Sequence, residues 1–173
     1  MADLISRSGW SVPFSGTSVR VPFCPAERWI SALQESGPAT LLAVLARPAT
    51  GESILDTLAA GEAGEDDLSA ASYKLIEYAT GYKWWEAFRL MTVSVRPDVL
   101  GRTVLAGMDP WFLTPGQWCS GVYALFTKDM GKDDLFKFDA MLGDPPEGVD
   151  DDEWAMEDFD AMVAAARAMP GQK

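Results

Sequence analysis

The chain has 173 residues, 48% of them hydrophobic, which supports one folded domain with a sizeable core and is too apolar for a disordered protein. Its formal net charge of −12 argues against nucleic acid as a direct partner, because binding phosphate requires clustered Lys and Arg. The absence of histidine removes Ser-His and Cys-His nucleophilic pairs, His-based metal centres and the commonest general base.

In chain order, the opening "GWSVPFSGTSVRVPF" alternates apolar and polar residues twice. Trp10, Val12 and Phe14 form one set and Val19, Val21 and Phe23 the other, with "SGT" between them. This predicts an N-terminal β-hairpin within residues 1–24. Pro13 and Pro22 each remove a ladder donor, so no large sheet can grow from it, and its apolar face must lie on helices or on another protein.

Residues 25–143 read as a helical body. Pro25 opens a first helix with Trp29, Ile30 and Leu33 on one side. A short apolar helix is predicted in "ATLLAVLA" and another in "GESILDTLAAG", followed by an acidic loop, "GEAGEDD". The stretch from Leu68 to Val95 is one long helix or two that break near Gly81, stopped by Pro97. Within it Trp84, Phe88, Met91 and Val95 share one face of a 3.6-residue helix, so Trp84 is expected in the core. Trp85 lies about 100° around that helix and either widens the buried stripe or stands exposed as an anchor for a partner. A short helix and turn are predicted in "DVLGRTVLAGMDP". Thr114 and Pro115 then supply an N-cap and first helical position for a helix carrying Trp118, Val122 and Leu125. A last body helix brings Leu135, Phe138 and Leu142 together.

Residues 144–152 have the Gly, Pro and acid content of a linker, and 153–173 that of a C-terminal amphipathic helix with Ala155, Phe159, Met162, Ala166 and Met169 in one stripe. The fold class is therefore mainly α: a helical bundle with a short N-terminal β-hairpin and a C-terminal helix after an acidic linker. The acidity is local, since residues 129–160 hold 13 acids against Lys132 and Lys137. A solvated acidic shield accounts for this, and an acidic DNA mimic is the rival reading.

No nucleotide-binding glycine loop is present, the "DDDE" run at 150–153 lacks calcium-loop spacing, and Cys24 and Cys119 lack metal-ligand spacing, so both are expected as buried free thiols. The longest uncharged apolar run, residues 38–46, falls short of the roughly 20 a membrane span needs, and the N-terminus lacks a signal-peptide layout. A soluble, intracellular binding protein is expected, with no enzymatic activity, cofactor, metal, nucleic-acid or membrane partner. The expected partner-binding residues are Trp85, Phe159, Met162 and Met169, because aromatic and Met side chains adapt to varied apolar partners.

The stretch from Tyr82 to Gly148 resembles the tail assembly chaperones of long-tailed, siphovirus-type actinobacterial phages. A tryptophan-rich helix with "YKWWEAFRLM", a "GMDP" turn, a helix ending near "KD" and a closing "PPEG" occur in that order. The resemblance implies a helical protein in the host cytoplasm that coats and solubilises the tape measure protein, recruits the major tail tube protein and self-associates. It also implies a short form and a form extended by ribosomal frameshifting, and it carries no catalytic residues. A virion head-to-tail connector or tail completion protein is the alternative within the same setting.

Overall fold

The computed structural model describes residues 9–46, 48–147 and 149, with the backbone alone for residues 48–53. In chain order its elements are β1 (Trp10–Phe14), β2 (Thr17–Val21), α1 (Ala26–Ser36), α2 (Leu41–Leu45), α3 (Pro48–Ala59), α4 (Glu65–Thr80), α5 (Trp84–Ser94), α6 (Pro97–Leu105), α7 (Pro115–Thr127) and α8 (Lys132–Gly143). The protein is mainly α-helical with one N-terminal antiparallel hairpin, as the periodicity predicts. The expected helix at 153–173, with Phe159, Met162 and Met169, lies outside the described residues.

The hairpin turns through Ser15 and Gly16, with φ of 46° and 72°. Positive φ at both central residues matches the right-handed twist of the strands it joins. Val12 pairs with Val19 and Trp10 with Val21, which puts Val12, Phe14, Val19 and Val21 on one buried face against α4. Pro13 stands on the opposite, exposed face across from Ser18. The ribbon's apolar side is thus covered by this chain's own helices. Trp10 stacks on Phe23 and meets Trp29 of α1 edge to face at 5.3 Å, tying the hairpin to the first helix.

Backbone donors at the starts of α4, α5 and α7 are satisfied by nearby side-chain acceptors. The acids expected in a loop after Gly64 instead form the first turn of α4, where Glu65, Asp66 and Asp67 face the positive helix end. Asp67 also accepts from the Gly64 N–H at 2.8 Å. At α5, Glu86 accepts from Lys83 N and Glu77 from Trp84 N. Thr114 and Gln117 form the reciprocal capping box of α7, with Pro115 at its first position. Pro97 both follows the end of α5 and opens α6. The start of α7 approaches the end of α4 so closely that a Cβ on Gly116 would sit 2.9 Å from the Thr80 carbonyl oxygen. Opposite helix-end charges meet at that contact.

The bundle closes around α5, against which α1, α4, α6, α7 and α8 all pack. A helix enclosed on so many sides buries more than one stripe, and Trp84, Trp85, Ala87, Leu90, Met91 and Ser94 are all buried. This corrects the reading of Trp85 as an exposed anchor. The residue is 2% exposed, its ring meets Trp84 edge to face at 5.8 Å, and its Nε1 donates to the Gly143 carbonyl at 3.2 Å. Phe88, expected on the core stripe, is only half-buried. Trp84 is buried as expected, stacked on Tyr73 at 4.0 Å.

Two polar links fix the helices around this core. Trp118 of α7 donates through Nε1 to Ser94 Oγ at 3.0 Å, and Ser94 donates to the Met91 carbonyl at 2.7 Å, satisfying a buried serine. Arg89 of α5 donates through Nη1 to the carbonyls of Met141, Leu142 and Asp144 at 2.8, 2.8 and 2.7 Å. These are free carbonyls at the end of α8, where a cation also opposes the helix dipole. Trp85→Ala is expected to lower stability by about 3–5 kcal/mol, as for other truncated core aromatics. Arg89→Ala is expected to cost about 2 kcal/mol, in the range of hydrogen bonds to a charged group. Thermal and denaturant unfolding measure both, and an unchanged midpoint for Trp85→Ala contradicts its place in the core.

Candidate functional site

Of the eleven large apolar side chains exposed among the described residues, five fall in one stretch, from Leu100 to Phe112, while others, such as Leu55, Phe136 and Met141, are scattered over α3 and α8. α6 faces the core with Val99 and Thr103, and α7 with the aliphatic and guanidinium parts of Arg102, which donates to the Leu125 carbonyl at 2.7 Å and lies over the Phe126 ring. Its other side presents Leu100, Val104 and Leu105 to solvent, Leu105 at 89% exposure. Trp111 and Phe112 follow in the turn to α7, with Phe112 at 85%. Isolated exposed apolar residues are ordinary on a protein surface, whereas this many large ones in one short stretch mark an interaction surface.

The turn that carries the two rings is held by its backbone. α6 ends with Met108 N bonded to the Thr103 carbonyl, and the Met108 side chain lies over Gly121 of α7. Asp109 then builds the turn, its carboxylate accepting from Trp111 N at 2.9 Å and its carbonyl from Phe112 N at 3.1 Å. On the far side, the Pro110 and Leu113 carbonyls accept from Glu27 N and Ala26 N at 3.1 and 2.9 Å. Those two N–H groups are unpaired within α1, whose start has no side-chain cap. The loop therefore caps a helix, and the helix fixes the loop. Its outward aromatic rings sit on a rigid mount, which lowers the entropy lost when a partner covers them.

Other concavities offer less. A pocket of about 340 Å³ is lined by Glu77, Tyr78, Gly81, Tyr82, Lys83 and Glu86, and both of its carboxylates already accept backbone N–H groups of α5. A second, of about 210 Å³, lies beside Gly9, Trp10, Phe23, Ala79 and Thr114. It is small for a cofactor or drug-sized ligand. Among the described residues no three Cys, Asp or Glu side chains converge as metal ligands do, and no helix is long and apolar enough to cross a membrane. Cys24 and Cys119 are free and buried. Burial pushes the Cys119 thiol up to about 12 and also raises Cys24, the latter against smaller lowering effects of the Trp29 side chain and Arg28. Neither is poised as a thiolate nucleophile.

Of the residues expected to bind a partner, Trp85 belongs to the core, and Phe159, Met162 and Met169 lie outside the described residues. The stretch that the fold does expose, Leu105 with Trp111 and Phe112, was legible only as a "GMDP" turn followed by two aromatics. No family model matches the chain, and comparison with curated proteins and with solved structures found no similar one.

The pair Trp111→Ser and Phe112→Ser is expected to leave stability within about 0.5 kcal/mol, as for exposed positions, while reducing binding of an environment-sensitive apolar dye. A large fall in melting temperature contradicts the exposed placement. The two cysteines are expected to resist a thiol reagent at mildly alkaline pH until denaturant is added, because a raised pKa keeps each as the unreactive thiol. Rapid labelling of the native protein contradicts their burial.

Proposed function

We propose that this protein is a tail assembly chaperone that binds the apolar, helical tape measure protein and holds it soluble in the host cytoplasm while tail tube subunits assemble. The observation that carries this reading is the exposure of Trp111 and Phe112, with Leu105 just before them in the chain, on a turn whose backbone is bonded through Asp109 and to the start of α1. A surface of that kind invites association unless a partner covers it. Flat aromatic contact suits a long client whose successive segments differ, since no fixed hydrogen-bond pattern has to be matched.

The rest of the chain supports a holding role. A net charge of −12 gives a loaded complex mutual repulsion and hence solubility. The acids crowd into residues 129–160, a different stretch of the sequence from the exposed apolar residues Leu100 to Phe112. In this proposal Phe159, Met162 and Met169 supply a second apolar strip, copies of the chain line up along one client, and the major tail tube protein is recruited to the assembly. Binding of this kind needs no reaction, and no catalytic residue, cofactor or metal is assigned.

Co-expression with a tape measure protein tests the reading. The wild-type chain is expected to keep the client in the soluble fraction. The variant Leu105→Asp, Trp111→Ser, Phe112→Ser is expected to stay folded and lose about 2 kcal/mol or more of binding, about 30-fold in affinity, so that the client sediments. A client kept equally soluble by the variant counts against this face as the grip, and a client that the wild type never binds counts against the function itself.

A further inference from the structure

α8 meets the body with one side only. Leu142 is buried, and Phe138 lies against Phe126 and Tyr123 with ring centroids 5.9 Å away in each case. Arg89 and Trp85 hold the carbonyls at its end. The side turned away from these contacts carries Phe136 and Ala140 one turn apart along its middle, with Phe136 at 76% exposure. Lys132 and Asp139 lie two turns apart on one edge of that strip, and Lys137 and the C-cap Asp144 two turns apart on the other. All six are exposed.

We propose that this strip pairs with the same strip of a second copy, the two α8 helices running in opposite directions. The order of charge along the helix selects both the partner and the direction, since each edge has a lysine first and an aspartate seven residues later. In an antiparallel pair Phe136 of each copy lies against Ala140 of the other, a large residue against a small one. Lys132 then meets Asp139 of the second copy, Lys137 meets its Asp144, and two-fold symmetry makes each contact twice. In a parallel pair Lys132 would meet Lys137 of the second copy and Asp139 would meet its Asp144, so every flanking contact would be repulsive. Asp133 falls at the open end of the antiparallel seam, opposite Gly143, where no acid faces it.

The charges that set this register are available for it. Among the described residues Lys132 and the Asp144 carboxylate take part in no ion pair. Lys137 approaches Asp134 only at 4.0 Å, with the two side chains 77% and 73% exposed, and a pair of that kind is worth little. Asp139 accepts from the Tyr123 hydroxyl at 2.8 Å through one oxygen, which positions the carboxylate and leaves its second oxygen for a cation. On α6, by contrast, Arg96 is engaged by Asp98 and Arg102 by the Leu125 carbonyl, so that helix has no matching pattern.

The contact is small. α8 is about 18 Å long at helical rise, and each copy contributes one aromatic side chain to the seam, which places the pair among weak, transient interfaces. The net charge of −12 on each copy opposes it further, so the dimer forms and parts reversibly. The pairing uses no residue of α6 or the Trp111–Phe112 turn and does not depend on the chaperone reading.

Sedimentation equilibrium of the full chain over a range of concentrations tests the inference without any client. The wild type is expected to pass from monomer to dimer as concentration rises. Lys132→Glu with Lys137→Glu, and separately Asp139→Lys with Asp144→Lys, are each expected to weaken the dimer about tenfold or more, because like charges then face each other across the seam. Both lysines are exposed, so the first variant keeps the wild-type melting temperature. An equimolar mixture of the two variants is expected to restore the dimer, and Leu105→Asp on α6 to leave the wild-type equilibrium unchanged. Mild oxidation of Phe136→Cys chains mixed with Ala140→Cys chains is expected to link the two kinds, while the buried Cys24 and Cys119 stay out of the reaction. A wild type that remains monomeric, a mixture that does not pair, a dimer lost in Leu105→Asp, or Ala140→Cys chains that link to one another as fast as to Phe136→Cys chains overturns the inference.

Discussion

The architecture depends on the enclosure of α5, and that enclosure is completed from far along the chain. Trp85 and Arg89 reach the end of α8 through hydrogen bonds to Gly143, Met141, Leu142 and Asp144. Without α8 in place, one side of α5 would present a tryptophan and an arginine to water. With it, the indole N–H is satisfied, the free carbonyls of a helix end are satisfied, and a large apolar area leaves solvent in one step. On another side, the hydrogen bond from Trp118 to Ser94 sets the approach of α7, and α7 in turn positions α6 through Arg102 and Met108.

This order of dependence separates the aromatic residues by role. Trp29, Trp84, Trp85 and Trp118 are buried and maintain the bundle. Trp111 and Phe112 add nothing to that core, yet their backbone is tied at one end to α6 and at the other to the start of α1. A rigid scaffold with an apolar tip achieves by geometry what a flexible binding loop achieves only after losing conformational entropy on contact. The proposed chaperone role uses this division: a stable body, an apolar surface at its edge and an acidic remainder that keeps the assembly dispersed.

Local signals in the sequence were enough for the elements, and long-range ones were not available for the site. The hairpin followed from alternation, the start of α7 at Thr114 and Pro115 from helix-end chemistry, and the burial of Trp84 from 3.6-residue spacing, while a break at Gly81 stood beside one continuous helix as an equal reading. Each of these depends on neighbours within a few residues. Trp85 was left between the buried stripe and an exposed anchor because its burial is decided by α8, 58 residues away at Gly143. The acids after Gly64 read as a loop because polarity alone does not distinguish a loop from a helix first turn. Trp111 and Phe112 attracted no attention as contact residues, since exposure is a property of what fails to pack on them, which no periodicity records.

The central claim is that the apolar face from α6 through the Trp111–Phe112 turn takes the client while the tryptophan core stays closed. Hydrogen exchange of the full chain, alone and bound to an apolar helical client, addresses it directly. The account predicts new protection of amides in residues 97–112, with the slow exchange of α5 unchanged. Protection confined to the hairpin, or faster exchange in α5 on binding, would show that the client is held elsewhere or that the bundle opens to receive it, and either result contradicts the account.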